Sequence, residues 1–366
     1  MRATARRTAL CAGVMIATLS QGAQALMFSV TDLGTLGGSY SVPHAIDSFG
    51  NVAGYSSAGA AHAFLWTSAT GMQDLGTLGG ALSYAQDLND LGAVVGSARV
   101  AGSVEHAFLW NASTGMTDLG TLGGTNSFAR GINEAGQVVG FSELADGSVR
   151  AFLWTEADGM ASLGTLGGNS FAADINDAGQ VTGVSHVAGN ARGFLWSEAT
   201  GMQDIGALSG GNSYAKSINA IGQVVGYSTL VGGAEHAFVW SAVSGMLDLG
   251  TLGGTNSYAK GINASGAVVG QADTAAGAAA FLWTDTLGML NLNDLLQDAS
   301  PWFIEGAVAI NDKGEIAALG SDSLGRKRAL LLKPIETVSV PEPGVLGLMG
   351  MGLAGLLMAR RRRTAA

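Results

Sequence analysis

The sequence predicts an all-β fold, a seven-bladed β-propeller whose ring is closed by strands from the two ends of its repeat region. Three observations carry that expectation. First, one unit recurs at a nearly constant interval: copies of DLGTLGG begin at Asp32, Asp74, Asp118 and Asp248, with variants at Ser162 and Asp204, and the separations are 42, 44, 44, 42 and 44 residues. Second, Gly-containing turns divide each unit into four short strands. Third, strands such as AFLW and VVG do not alternate apolar with polar residues, so both faces of each sheet need cover. A radial stack of four-stranded blades supplies that cover.

Composition agrees. With 57 glycines in 366 residues, 13% charged and 7% aromatic residues, the core must be assembled from many small contacts, and 47% hydrophobic residues is too many for a disordered chain. The formal net charge is −10. Arg2, Arg6, Arg7 and the four arginines from Arg360 to Arg363 sit at the ends. Without these seven, and without Glu336 and Glu342, residues 26–335 keep 11 basic and 26 acidic side chains, a net of −15. Such a body repels phosphate backbones, so nucleic acid is not an expected partner. Cations and neutral glycans remain open.

Taken in order, the chain begins with MRATARRTALCAGVMIATLSQGAQA, which has a basic head, an apolar stretch from Thr8 to Leu19, and Ala23 and Ala25 at the −3 and −1 positions. This reads as a signal peptide over 1–25, cut after Ala25 by signal peptidase, because the apolar stretch is shorter than the roughly 20 residues a membrane span needs. Cys11, the single cysteine, leaves with it. Residues 26–335 then rely on packing and topology rather than disulfides.

The body opens on MFSVTDLG, a fourth strand whose first three are missing. A word of the form I-N-x-x-G-x-V-V-G follows at Ile132, Ile218 and Ile262, with relatives at Ile46, Leu88, Ile175 and Ile310. The word HAFLW and its variants run through Trp66, Trp110, Trp154, Trp196, Trp240 and Trp283, and RALLL at Arg328 to Leu332 takes the last place. Within a unit, Asn133-Glu134-Ala135-Gly136 has the residues of a type I turn, joining SFARGIN to QVVGFS. A turn around Gly115 joins AFLW to MTDL. The body ends on a third strand, RALLLKP, that lacks its fourth, and the two partial units complete one blade and remove the free edges. A β-solenoid is the rival, but it requires no complementary half-units and should show polar caps. A different blade count is the other alternative.

The C-terminal VPEPGVLGLMGMGLAGLLMARRRR places Val340, Pro341, Glu342 and Pro343 before an apolar run over 344–359 and then Arg360, Arg361, Arg362 and Arg363. The prolines make a stiff break, the run is a short helix, and the arginines hold the tail on the cytoplasmic side. This three-part stretch over 336–366 resembles the PEP-CTERM sorting signal of Gram-negative bacteria. The resemblance implies exosortase processing near Pro341 to Pro343, transient anchoring in the inner membrane, and release or transfer to the cell surface, in organisms that make exopolysaccharide. At its repeated words the body, over residues 30–332, resembles the HAF-repeat family of extracellular bacterial proteins, which is defined by the repeat and not by an activity. It departs from that pattern where Arg150, Arg192, Ala279 and Arg328 replace His.

Few residues invite chemistry. His62, His106 and His236 lie in units one, two and five, which a ring separates, and Arg cannot replace His as a zinc ligand. A donor to a neighbouring blade or turn fits both residue types. Six of seven tryptophans share one repeated position beside Phe and Leu and read as core. Trp302, in DASPWFIEG, is the aromatic expected to be exposed, within the irregular insertion 291–305, where a regular scaffold places binding residues. No calcium-loop run exists, GTLGG lacks the Lys and helix of a phosphate loop, and no Ser-His-Asp set or isolated carboxylate pair stands out. No catalytic residue, metal or cofactor is therefore expected. The first-strand slot does vary, as His44, Gln86, Arg130, Ala173, Lys216, Lys260 and Val308. His44, Gln86, Arg130, Lys216, Lys260 and Trp302 form the candidate ligand rim. The expected function is a secreted or cell-surface, non-catalytic interaction protein associated with exopolysaccharide or biofilm matrix. The alternatives are a propeller-based polysaccharide lyase or glycosidase using Asp294 and Asp298, and a structural coat protein.

Overall fold

A computed structural model describes residues 26–209, 211–297 and 300–335. The expected signal peptide with Ala23 and Ala25, the short helix over 344–359, the processing residues Val340 to Pro343, the terminal arginines and Asp298 all lie outside the described residues. The described residues form seven four-stranded antiparallel sheets and one turn of 3-10 helix at Leu292–Leu295. None of their helices is long and apolar enough to cross a membrane.

Blade one consists of the strands Ser41–Ile46, Val52–Ala58, Ala60–Thr67 and Gly71–Asp74, paired in chain order. Blades two to six repeat it. Blade seven is the composite that the partial units predict: Phe28–Asp32 pairs with Lys327–Pro334, followed inward by Ile316–Ser321 and Phe303–Ile310. Its register runs from Phe28 opposite Pro334 to Asp32 opposite Leu330.

The repeated words build the seams between blades. The Phe of each HAFLW variant, namely Phe64, Phe108, Phe152, Phe194, Phe238 and Phe281, is fully buried, as is Leu330 in the same place of blade seven. Phe152 of blade three, for example, shares a cluster with Val95, Ala107 and Leu119 of blade two. Small Ala residues on the inner strands admit this close stacking of sheets.

Two series of side-chain hydrogen bonds stitch the same seams. In blades one to six a Ser of the inner strand reaches back one blade: the Ser127 hydroxyl accepts from the Ala107 N–H at 2.8 Å and donates to the Gly120 carbonyl at 2.5 Å, and Ser83 does the same for Ala63 and Gly76. The Asn of I-N-x-x-G reaches forward. The side-chain amides of Asn89, Asn133, Asn176, Asn219, Asn263 and Asn311 each donate to the backbone carbonyl of the equivalent residue in the next blade, at 2.9 to 3.2 Å.

One link is missing because blade one carries Asp47 in place of Asn, and a carboxylate cannot donate. Burial pushes the Asp47 carboxyl upward, so its charged form is disfavoured there. Asp47→Asn should complete the circle and stabilise the protein by about 1 kcal/mol. Asn51, whose amide now donates to Asp47 at 2.7 Å, need only turn over to accept, as Gln137 accepts from Asn133. Chemical denaturation at neutral pH checks this, and an unchanged or lower midpoint refutes it.

Candidate functional site

The varying slot has a structural cause. In every blade the pairing of the inner strand with its neighbour skips one residue: between Pro43 and Ala45, Ala85 and Asp87, Ala129 and Gly131, Ala172 and Asp174, Ala215 and Ser217, Ala259 and Gly261, and Ala307 and Ala309. The skipped residues are His44, Gln86, Arg130, Ala173, Lys216, Lys260 and Val308. Each is the extra residue of a β-bulge, unpaired in the ladder and re-aimed by it. All seven line one cavity of about 800 Å3, bordered by inner strands from all seven blades. This is the central channel.

Within it, the Arg130 guanidinium donates to the Gln86 carbonyl oxygen at 2.7 Å and lies over the Phe141 ring. The Lys216 ammonium lies 5.6 Å from the centre of the Tyr227 ring. Burial lowers the pKa of Lys216, and the charges of Arg130 and Lys260 lower it further. Burial also lowers those of Lys260 and Arg130. His44 is held down to about 4, chiefly by burial, against a hydrogen bond to the Ala85 carbonyl and with help from the Arg130 and Lys260 charges. It is therefore neutral at physiological pH. Its Nδ1 donates to that carbonyl at 2.9 Å, which leaves Nε2 as an acceptor.

Sequence reasoning missed two acids. Asp87 and Asp174 follow the bulged residue in blades two and four and line the same channel. Each carboxylate crosses to the next blade: Asp87 accepts from the Ile132 N–H at 2.9 Å, and Asp174 from the Ser217 hydroxyl at 2.8 Å and the Ile218 N–H at 2.9 Å. Both are surrounded by protein yet only half-covered, since the channel reaches them. Burial raises Asp174 to about 6. Burial, then the Asp174 charge, raises Asp87 well above the usual carboxylate range. The position was legible, because it reads Ala45, Asp87, Gly131, Asp174, Ser217, Gly261 and Ala309, small or uncharged residues except for the two acids.

Three expectations need correction. Trp302 does not join the channel residues and is half-buried, whereas Phe49 and Phe303 are 64% and 48% exposed. It borders a separate cavity of about 580 Å3 with Pro301, Phe303 and Asp322. The insertion folds toward the closing strand instead: Asn293 clasps Ile304 through both its amide atoms, and the Gln297 N–H donates to the Phe28 carbonyl. Asp294 is exposed and borders neither cavity. Finally, the motif histidines bond within their own blade. His62, His106 and His236 pair with Asp74, Asp118 and Asp248 at 2.7 to 2.9 Å, and Arg192 pairs with Asp204, but Arg192 and Arg328 also donate to the Gly211 and Ser39 carbonyls at the entry to the next blade, as expected. The third and fourth strands are adjacent, so the partner lies 12 residues on. Where Ser162 replaces that Asp, Arg150 turns to a backbone carbonyl.

Sequence comparison identifies a sorting motif and little else. Residues 339–363 match the PEP-CTERM protein-sorting motif. The PEP-CTERM motif is a recognition signal for exosortase processing and indicates export with membrane-anchored transit. No curated protein matches the chain in sequence. Among solved structures, a streptogramin B lyase is 12% identical over 84% of this chain and 98% of its own, with a TM-score of 0.53. A virginiamycin B lyase from Staphylococcus aureus is 11% identical over 84% of this chain and 100% of its own, with a TM-score of 0.49. TolB from Acinetobacter baumannii is 11% identical over 76% of this chain, which spans only 60% of the TolB chain, with a TM-score of 0.42. At such identities the first of these likenesses concerns the fold alone.

Proposed function

We propose that this protein is a non-catalytic propeller of the bacterial cell surface that binds extracellular polysaccharide at its central channel. The observation that carries the reading is the convergence of the bulged side chains of all seven blades on one cavity. They differ from blade to blade more widely in charge and size than the rest of the inner strand, so the scaffold is most individual where it meets the channel. The sorting motif supports an extracellular setting, and the repeated words support placing the body among HAF-repeat proteins. On this reading signal peptidase cuts after Ala25, exosortase acts near Pro341 to Pro343, and the released body associates with exopolysaccharide of the biofilm matrix.

A pull-down of the purified full chain on a panel of neutral and acidic exopolysaccharides tests it. Retention of the chain by at least one polymer, with polymer length unchanged, is the expected outcome. Absence of retention across the panel defeats the reading. A second reading, a polysaccharide lyase, is favoured by the raised carboxylates of Asp87 and Asp174 inside the channel, since perturbed acids in a cavity are what acid–base catalysis uses. Shortening of a retained polymer, abolished by Asp174→Asn, would put that reading first.

A further inference from the structure

Resting on the binding reading above, we infer that the channel selects an acidic polysaccharide, with the carboxylate of a uronate-type sugar held by Arg130, Lys216 and Lys260. The argument begins with an imbalance. Every acid that lines the channel already has a protein partner: Asp87 and Asp174 accept from the neighbouring blade, and Glu305 pairs with Lys327 at 2.6 Å. Glu105, whose charge reaches Arg130, is bonded to Arg99. The cations have no acidic one. Among the described residues, no carboxylate forms an ion pair with Arg130, Lys216 or Lys260.

Three cations from blades three, five and six thus face one cavity in a body whose net charge is −15. Arg130 spends a donor on the neutral Gln86, and Lys216 rests against an aromatic face. Like charges gathered without a counter-ion repel one another, and an anion placed among them removes that cost. Arg130 offers a planar fork matched to a carboxylate, and the lysines offer adaptable point charges.

The remaining lining describes what the anion is attached to. His44 presents a free ring acceptor and Gln86 retains its amide donors, which suit sugar hydroxyls. Phe141 and Phe171, 5.1 Å apart and edge to face, give the cavity an apolar wall of the kind that packs on the C–H face of a sugar ring. The volume of about 800 Å3 falls in the range of ligand sites. Nucleic acid is a poorer fit, since its dense charge meets the acidic body outside the channel.

Calorimetric titration of the full chain with trigalacturonate and trimannuronate, each beside its methyl ester, and with sodium sulfate tests the assignment. At least one free acid should bind, its ester should bind about tenfold or more weakly, sulfate should bind more weakly still, and the affinity should fall with added salt. Lys216→Met and Lys260→Met should each weaken the uronate about tenfold or more, and Lys216→Arg should retain it. The thermal midpoint of Lys216→Met without ligand should not fall, because the removed charge faces other cations; a lowered midpoint marks Lys216 as structural and overturns its role. Esters that bind as well as acids, or sulfate that binds as tightly, overturn the acidic-sugar assignment while leaving polysaccharide binding in place. If neither acid binds, the assignment fails, and the polymer pull-down decides separately whether the binding reading fails with it.

Discussion

A chain lacking residues 26–33 should fail to accumulate as a stable monomer. That segment is the outer strand of blade seven, and its loss removes several supports at once. Phe28, 1% exposed, leaves the core, and the ladder from Phe28 opposite Pro334 to Asp32 opposite Leu330 is lost. The Leu33 N–H no longer reaches the Ala329 carbonyl, and the Gln297 N–H loses the Phe28 carbonyl. Truncating a buried Phe alone costs about 3 to 5 kcal/mol, and the lost hydrogen bonds raise the total beyond that. Few domains have such a margin. The strand Lys327–Pro334, with Leu330, Leu331 and Leu332 fully buried in the intact ring, then becomes an apolar edge open to pairing with other chains. Light scattering should report oligomers, and any monomer should unfold at a much lower temperature. Reattaching the segment after Pro334 through a turn of about three residues, the connection that joins Thr155 to Gly159 in blade three, should restore the monomer. A truncated chain that unfolds as the intact one does would show that the closing strand contributes little.

Much of this architecture was legible in the sequence, because a repeat states its own period. Blade number, four strands per blade and closure by partial units all follow from where DLGTLGG, HAFLW and I-N-x-x-G fall. The varying slot was legible too, since His44, Gln86, Arg130 and Lys216 occupy one place between the repeated Ser and Ile or Leu of the inner strand. The bulge was not. It inserts a residue into the pairing without altering the letters, so SFARGIN reads as an ordinary strand. Asp87 and Asp174 escaped attention because they are far apart in sequence and approach only when the ring curls. Trp302 was misplaced for a related reason: an irregular insertion has no repeat to locate it, and Asn293 and Phe28, its anchors, are unique residues. The His–Asp pairs, by contrast, carried a signal in their constant spacing of 12 residues from His62 to Asp74, His106 to Asp118 and His236 to Asp248.

The glycine of the VVG word connects the fold to the channel, and Gly140→Ala should be among the most damaging single substitutions in the chain. A methyl group on Gly140 would sit 1.9 Å from the Phe128 carbonyl oxygen and 2.9 Å from the Ala129 Cα. Both are backbone atoms with no side-chain freedom to yield. Equivalent collisions, at 1.9 to 2.1 Å from a backbone oxygen, await Gly54, Gly96, Gly183, Gly226 and Gly270. The common cause is the bulge, which tucks the inner strand against its neighbour just before the channel residue. Overpacking costs typically about 1 to 3 kcal/mol and more when the backbone must move, so the upper end or beyond is expected. Two other glycines calibrate the effect. Gly136 has a φ of 74° and open space around it, so its alanine variant bears only the left-handed strain of about 1 to 2 kcal/mol. Gly320 would meet the Leu330 Cδ1 and come within 3.2 Å of the Phe303 carbonyl oxygen, so its alanine variant must shift a buried side chain but less backbone than Gly140→Ala. Denaturant midpoints should therefore fall furthest for Gly140→Ala. If that protein still folds, it can admit the methyl only by flattening the bulge, which withdraws Arg130 from the channel; uronate affinity should then drop in Gly140→Ala and stay unchanged in Gly136→Ala. Equal midpoints for the two variants would mean that the bulge does not hold the inner strand in this position.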